Sequence, residues 1–367
     1  MQPCRICLNM IVKNEAEVIR RCLDSVSPYI DTWVIVDTGS TDSTQNIIRH
    51  YFQDKGIAGE LHERPWKDFG TNRAEALDLA RTTQADYSLF IDADEVFAMP
   101  SGQRWEGLTA DAYQILHLHG NTECTFWLTQ LVRNDKPWRW EGVVHEALYC
   151  SEPHTNERLP GPTTRGMFDS ARNKIEPAQK YRADALILEA ALAKEPNHAR
   201  YVFYLGQSWR DANEPEKALE AYRRRSTMGG WEEEIWYAQF QVGRLLERLS
   251  RRSEAIEAYL MAYNFRPRRA ETLCELARMH REAGAYPLAH LFSSRAKDLA
   301  RPDDILFLDE SVYRWRALDE YSIACYWIDD FAESLRVTEQ LLSGHDLPEA
   351  QRPRVEKNRE FALMKVK

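Results

Sequence analysis

Phe90-Ile91-Asp92-Ala93-Asp94-Glu95 closes an apolar run that begins at Tyr87, and it sets two carboxylates one residue apart. A buried parallel strand delivers its carboxyl end into the ligand crevice of an α/β sheet, so acids there face a substrate or a metal rather than a core. Aspartates offer hard oxygen donors of the kind Mn²⁺ or Mg²⁺ prefers. The chemistry expected is the handling of a metal-bound phosphate compound. The alternative, acids that merely cap a loop, would leave unpaired carboxylates at a costly, buried position.

Other chemistry-bearing residues follow the same logic. Asp37 ends the apolar run Trp33-Val34-Ile35-Val36 and opens Thr38-Gly39-Ser40-Thr41-Asp42-Ser43-Thr44, where Gly39 permits a tight turn and the polar cluster caps a helix. Asn14 and Glu15 follow the first apolar run, Ile6 to Val12, where helix capping is an alternative to ligand contact. Trp138-Arg139-Trp140-Glu141-Gly142-Val143-Val144-His145-Glu146 reads as an extended segment, in which Glu141 and His145 would share one face and Glu146 the other. Arg73 lies on a helix-like segment with Ala74, Leu77 and Ala80, as a ligand contact or as an exposed arginine.

The elements that must position these residues are three strand-to-helix units ending at Asp92. They imply a parallel sheet with right-handed crossovers. Strand-like segments Ala112 to Leu118, Phe126 to Val132 and Val143 to Cys150 then suggest an antiparallel edge. The fold class expected is an α/β nucleotide-binding domain over residues 1–150, a Pro- and Gly-containing linker over 151–177, and an all-α domain over 178–367. In the last part Leu205-Gly206, Trp209, Ala218 and Tyr222 match Val242-Gly243, Leu246, Ala255 and Tyr259. Gly206 and Gly243 stand 37 residues apart, and Gly243 and Ala277 stand 34 apart. This period resembles tetratricopeptide repeats, whose paired helices pack through small residues. Leu188, Ala191 and Pro196 suggest part of an earlier unit, and Tyr321 to Leu342 a degenerate fourth. Trp209, Trp231, Trp236 and Tyr237 read mainly as repeat core, with acceptor contact as the alternative.

Composition bounds the rest. A chain of 367 residues, 44% hydrophobic, suits two cores, and its net charge of −9 argues against a nucleic-acid footprint or an anionic membrane partner. No leader and no span of bilayer length is seen, and seven scattered cysteines fit a reducing compartment, so a cytoplasmic location is expected. Cys4 and Cys7 form a CxxC without a second pair at zinc-site spacing.

Taken in order, Met10-Ile11-Val12-Lys13-Asn14-Glu15, Val36 to Thr44, Asn72-Arg73 and Phe90 to Glu95 resemble the family 2 glycosyltransferases of the GT-A fold, over roughly residues 5 to 150. The resemblance implies a nucleoside diphosphate sugar donor, UDP-linked by first choice, and a Mn²⁺ or Mg²⁺ ion. It makes Asp94 a metal ligand, Asp92 a contact for ribose or metal-bound water, His145 a third metal ligand and Asp37 a nucleobase contact. It also implies base or ribose contacts for Asn14 and Glu15, and a diphosphate or base contact for Arg73. Inverting members use a carboxylate base, and Glu146 and Glu141 are the candidates, Glu146 preferred because it sits at the expected strand end. This sequence lacks the Glu-Asp pair usual at greater distance; a cysteine acceptor would need a weaker base. Similarity to bacterial peptide and protein glycosyltransferases with an attached helical domain makes a polypeptide the first acceptor choice, with lipopolysaccharide or another glycan second; repeats also allow a homodimer. Rival readings are a haloacid-dehalogenase-type phosphatase with Asp92 as nucleophile, and a non-catalytic repeat scaffold. The phosphatase leaves Asp37 to Thr44 unexplained.

Overall fold

The computed structural model describes residues 4–101, 103–120 and 125–366. The first apolar run forms strand β1 (Ile6–Val12), buried along nearly its whole length. Helix α1 (Ile19–Val26) follows and turns Ile19, Cys22, Leu23 and Val26 inward at helical spacing. Strand β2 (Thr32–Asp37), helix α2 (Thr44–Lys55), strand β3 (Gly59–Glu63), helix α3 (Phe69–Arg81) and strand β4 (Tyr87–Phe90) complete the parallel half. Strands β3, β2, β1 and β4 lie side by side, all parallel, so Val12, Asp37 and Phe90 end at one edge.

Strands β5 (Glu95–Ala98), β6 (Ala112–His119) and β7 (Thr125–Arg133) come next, with β7 antiparallel to β4. Strands β8 (Trp138–Glu141) and β9 (Ala147–Cys150) form a separate hairpin, and β10 (Asn156–Gly166) returns to the main sheet. The eight-stranded order is β3-β2-β1-β4-β7-β6-β10-β5. A mixed sheet with helices thus replaces its parallel character beyond β4, as the strand-like segments after Asp94 imply.

Three expectations are corrected. β3 escapes notice because Gly-Glu-Leu-His-Glu holds one apolar residue and lies mostly exposed at the sheet edge. The stretch assigned to a linker from residue 151 contains β10, whose pairing with β6 shifts register between Arg158 and Thr163. Pro160, Gly161 and Pro162 fall within that irregularity, where a strand tolerates them. The extended segment expected at Trp138 to Glu146 instead turns at Gly142 and His145, both at positive φ. Alternation of faces therefore does not apply there.

Helix α4 (Pro177–Lys194) ends the first compact unit at Lys194, beyond the domain end expected at 150; Leu188 and Ala191 belong to it and not to the repeats. The second unit is helical. It pairs α5 (Ala199–Asp211) with α6 (Pro215–Arg225), α7 (Glu232–Arg248) with α8 (Arg252–Phe265), and α9 (Glu271–Glu282) with α10 (Tyr286–Lys297). After an insertion, α11 (Ala317–Trp327) pairs with α12 (Phe331–Ser343), and α13 (Arg352–Val366) follows. Gly206 faces the Tyr222 ring and Gly243 the Tyr259 ring, so the repeated glycine–tyrosine pair is the helix-to-helix contact itself. Trp209, Trp236 and Tyr237 are buried core, whereas Trp231 is 40% exposed.

The six described cysteines are free, and burial pushes the Cys7 thiol up to about 12. Cys124 and Met1 to Pro3 lie outside the described residues. Among the described residues no helix is long and apolar enough to cross a membrane.

Candidate active site

Arg73 organises the site. Asp68 caps α3 by accepting from the Thr71 N–H at 2.7 Å, which fixes the first turn of that helix. The same turn seats the 142–146 loop: the Phe69 N–H donates to the Val143 carbonyl at 3.3 Å, and a Cβ on Gly70 would strike the Gly142 carbonyl oxygen. The loop then brings Glu146 to Arg73. The Arg73 Nε donates to Glu146 Oε1 at 2.7 Å and its Nη2 to Asp92 Oδ1 at 2.6 Å. Its guanidinium also lies 5.1 Å over the Trp140 ring. Both Arg73 and Glu146 are 13% exposed in their side chains, against 48% for Asp92, so Asp92 is the open end of the trio.

Two cavities meet at these three residues. One, of about 360 Å³, has apolar walls from Phe90, Leu128, Trp140 and Leu148. The other, of about 680 Å³, is polar and carries Asp94, His117, His119, His145, Asn173 and Lys180. Arg73, Asp92, Glu95 and Glu146 line both. Asp94 Oδ2 accepts from Asn173 Nδ2 at 3.0 Å. Glu95 Oε2 accepts from the Asp92 N–H at 3.1 Å and from Gln130 at 3.4 Å, and His117 stands 3.4 Å from its other oxygen. Burial and the charge of Asp92 hold the Glu95 carboxyl well above the usual range; a proton kept there spares the site another anion.

At the neighbouring strand ends, Asp37 Oδ1 accepts from the Gly39 and Ser40 N–H groups at 2.9 and 2.8 Å. Its Oδ2 is buried with no partner among the described residues. Asp37 does not cap α2; that turn is held by Asp42, which accepts from the Thr44 N–H and hydroxyl. Asn14, at φ 58, accepts from the Thr41 N–H at 2.8 Å and receives no role as a helix cap: it ties the loop after β1 to the loop after β2. Glu15 Oε2 accepts from the Ala171 N–H at 3.3 Å. Burial, reinforced by Asp94, Asp42 and Asp92 and opposed by that N–H, pushes its carboxyl up to about 7.

The structure thus brings Arg73, Asp92, Asp94, His145 and Glu146 to one place and keeps Glu141 away. Glu141 accepts from Arg139 at 2.5 Å on the exposed side of the hairpin. Arg73, expected as a diphosphate or base contact, pairs here with two carboxylates, Asp92 and Glu146. Sequence reasoning missed Asn173 and Lys180, which lay in the supposed linker and helical region, and passed over Glu95 inside the motif it singled out.

A divalent cation suits part of this set. Among the described residues no group of three or more His, Cys, Asp or Glu side chains is placed to hold a metal ion. Asp94 and Asp92 offer two hard oxygen donors of the kind a divalent cation prefers, and His145 lines the same cavity.

Parts of the chain are similar to known proteins. Residues 7–101 match the family model for Glycosyl transferase family 2. The SPbeta prophage-derived glycosyltransferase SunS of Bacillus subtilis (strain 168) is 25% identical over 245 residues, covering 60% of this chain and 52% of that protein. A TPR repeat-containing protein of Synechococcus elongatus is 29% identical over 221 residues, covering 55% of this chain and 51% of its own. The chain therefore spans about half the length of the curated relatives it matches. Among solved structures, that of MamA covers 54% of this chain and 95% of its own at 15% identity and a TM-score of 0.34. Residues 7–101 are thus similar to the family 2 glycosyl transferases, and the helical region resembles tetratricopeptide-repeat proteins.

Proposed function

We propose that the N-terminal domain transfers a sugar, with inversion, from a nucleoside diphosphate donor to an extended acceptor. The observation that carries the reading is the meeting of a polar, acid-lined cavity and an apolar one at Arg73, Asp92 and Glu146. An in-line displacement needs the leaving group and the nucleophile on opposite sides of the anomeric carbon. The polar cavity takes the diphosphate, and the apolar crevice takes the acceptor. Glu146 borders both.

Glu146 accepts the proton of the acceptor hydroxyl or thiol while the freed electron pair forms the bond to the anomeric carbon. The bond to the diphosphate oxygen breaks, and its electrons stay with the leaving group. Arg73 keeps one oxygen of Glu146 and one of Asp92 in place, so the two carboxylates act from fixed positions. Asp94, with Asp92 and His145, would hold a Mn²⁺ or Mg²⁺ ion, which supplies positive charge beside the diphosphate when bound. Asp37 would be the nucleobase contact, its Oδ2 having no partner among the described residues although the side chain is buried and lines neither cavity.

A polypeptide remains the preferred acceptor. The walls at Phe90, Leu128, Trp140 and Leu148 can pack a side chain flanking a reactive serine or cysteine, and helical repeats as a class bind extended chains. The similarity to a protein named a glycosyltransferase supports transfer without specifying what is glycosylated.

Turnover of a panel of UDP- and GDP-sugars, read as nucleoside diphosphate release, tests the assignment of the base. Glu146→Gln should lower the rate by about 100-fold or more, while Glu141→Gln stays within about threefold of the parent. The reverse order would remove Glu146 from the chemistry.

A further inference from the structure

Three cations line the polar cavity, and their partners differ. Arg73 is neutralised by Asp92 and Glu146. Arg172 places Nη2 on both oxygens of Asp184, at 2.5 and 2.7 Å, and stacks over Phe69. Lys180, half-buried near the start of α4, forms no salt bridge among the described residues, and its Nζ donates to the neutral carbonyl of Asn173 at 2.8 Å. Asn173 is oriented by that contact: its oxygen faces Lys180, and its amide donates to Asp94 Oδ2 and to Ser170 Oγ.

We propose that Lys180 binds the diphosphate of the donor and stays paired with it as the sugar leaves, its position set by the oxygen of Asn173, whose amide N–H donates to Asp94. The inference rests on the donor-site reading of the polar cavity. A half-buried ammonium with no carboxylate in contact has exchanged water for one amide oxygen and the Tyr181 ring, 5.6 Å away, so an incoming phosphate oxygen supplies the contact charge it lacks. Burial and the charge of Arg172 hold the Lys180 ammonium below its usual value, against the pull of Asp184 and Asp94, as expected for a cation short of compensation. It needs no proton transfer: the electron pair of the broken bond remains on the diphosphate, and the ammonium compensates the added charge. Arg73 cannot do this without releasing a carboxylate that the reaction uses.

The test is calorimetric titration of inorganic pyrophosphate into the full chain with Mn²⁺ present, comparing the parent with Lys180→Gln, Lys180→Arg and Asp94→Ala. Pyrophosphate avoids any dependence on the identity of the nucleotide. Lys180→Gln should weaken binding about tenfold or more, and Lys180→Arg should keep it within about threefold. Thermal melts confirm that each variant is folded. Loss in Asp94→Ala but parental affinity in Lys180→Gln would overturn the role of Lys180 and leave the donor site standing. No binding by the parent would overturn both.

Discussion

Arg73, Asp92 and Glu146 form one unit at the residue scale, and their pairing separates Glu146 from Glu141. Asp37, Asp92 and Asp94 were legible because acids at the ends of apolar runs can be read from order alone. Glu146 was only half legible, since its position depends on a turn at Gly142 and His145 that no alternation rule describes. Glu15 carries a prediction of its own. Its carboxyl lies near 7 when folded, against 4.5 for the free group. Between those values the folded protein keeps a proton that the unfolded chain has lost. Stability from this group is therefore complete below about 4.5 and is lost as pH rises through about 7. Glu15→Gln removes the loss, so its stability relative to the parent should rise by about 1 kcal/mol from pH 5 to pH 8, the figure being reduced for solvent screening. Denaturation curves at both values check it; a constant difference would contradict the buried setting of Glu15.

Elements explain both the successes and the failures of the sequence reading. β1, β2 and β4 announce themselves by unbroken apolar runs, because central parallel strands are covered on both faces. Strands β3 and β10 lie outside that rule: one is a polar edge, and the other hides its pairing behind the Pro-Gly-Pro irregularity. The contact between α3 and the 142–146 loop yields an element-scale prediction. Alanine in place of glycine within a helix ordinarily stabilises by about 0.5–1 kcal/mol. At Gly70 the added Cβ meets the backbone of Gly142, so Gly70→Ala should instead destabilise by about 1–3 kcal/mol and reduce nucleoside diphosphate release, as Glu146 moves from Arg73. A denaturant titration giving the ordinary stabilisation would show that the loop does not rest on α3 as described.

On the scale of the whole molecule, the repeats were legible because the glycine–tyrosine contact at Gly206 returns 37 residues later at Gly243, and the small Ala277 follows after a further 34. The unit boundary was not, because α4 has helical texture like the repeats yet belongs to the first unit and carries Lys180. All the residues proposed for donor binding and for the base consequently lie within residues 4–194. Calorimetric titration of UDP and of GDP into the full chain, with Mn²⁺ and then with a chelator, tests that claim most directly. The account predicts metal-dependent binding of one nucleotide, lost in Asp94→Ala while the far-ultraviolet helical signal is unchanged. Binding of neither nucleotide with Mn²⁺ present, or equal binding by Asp94→Ala, would contradict it.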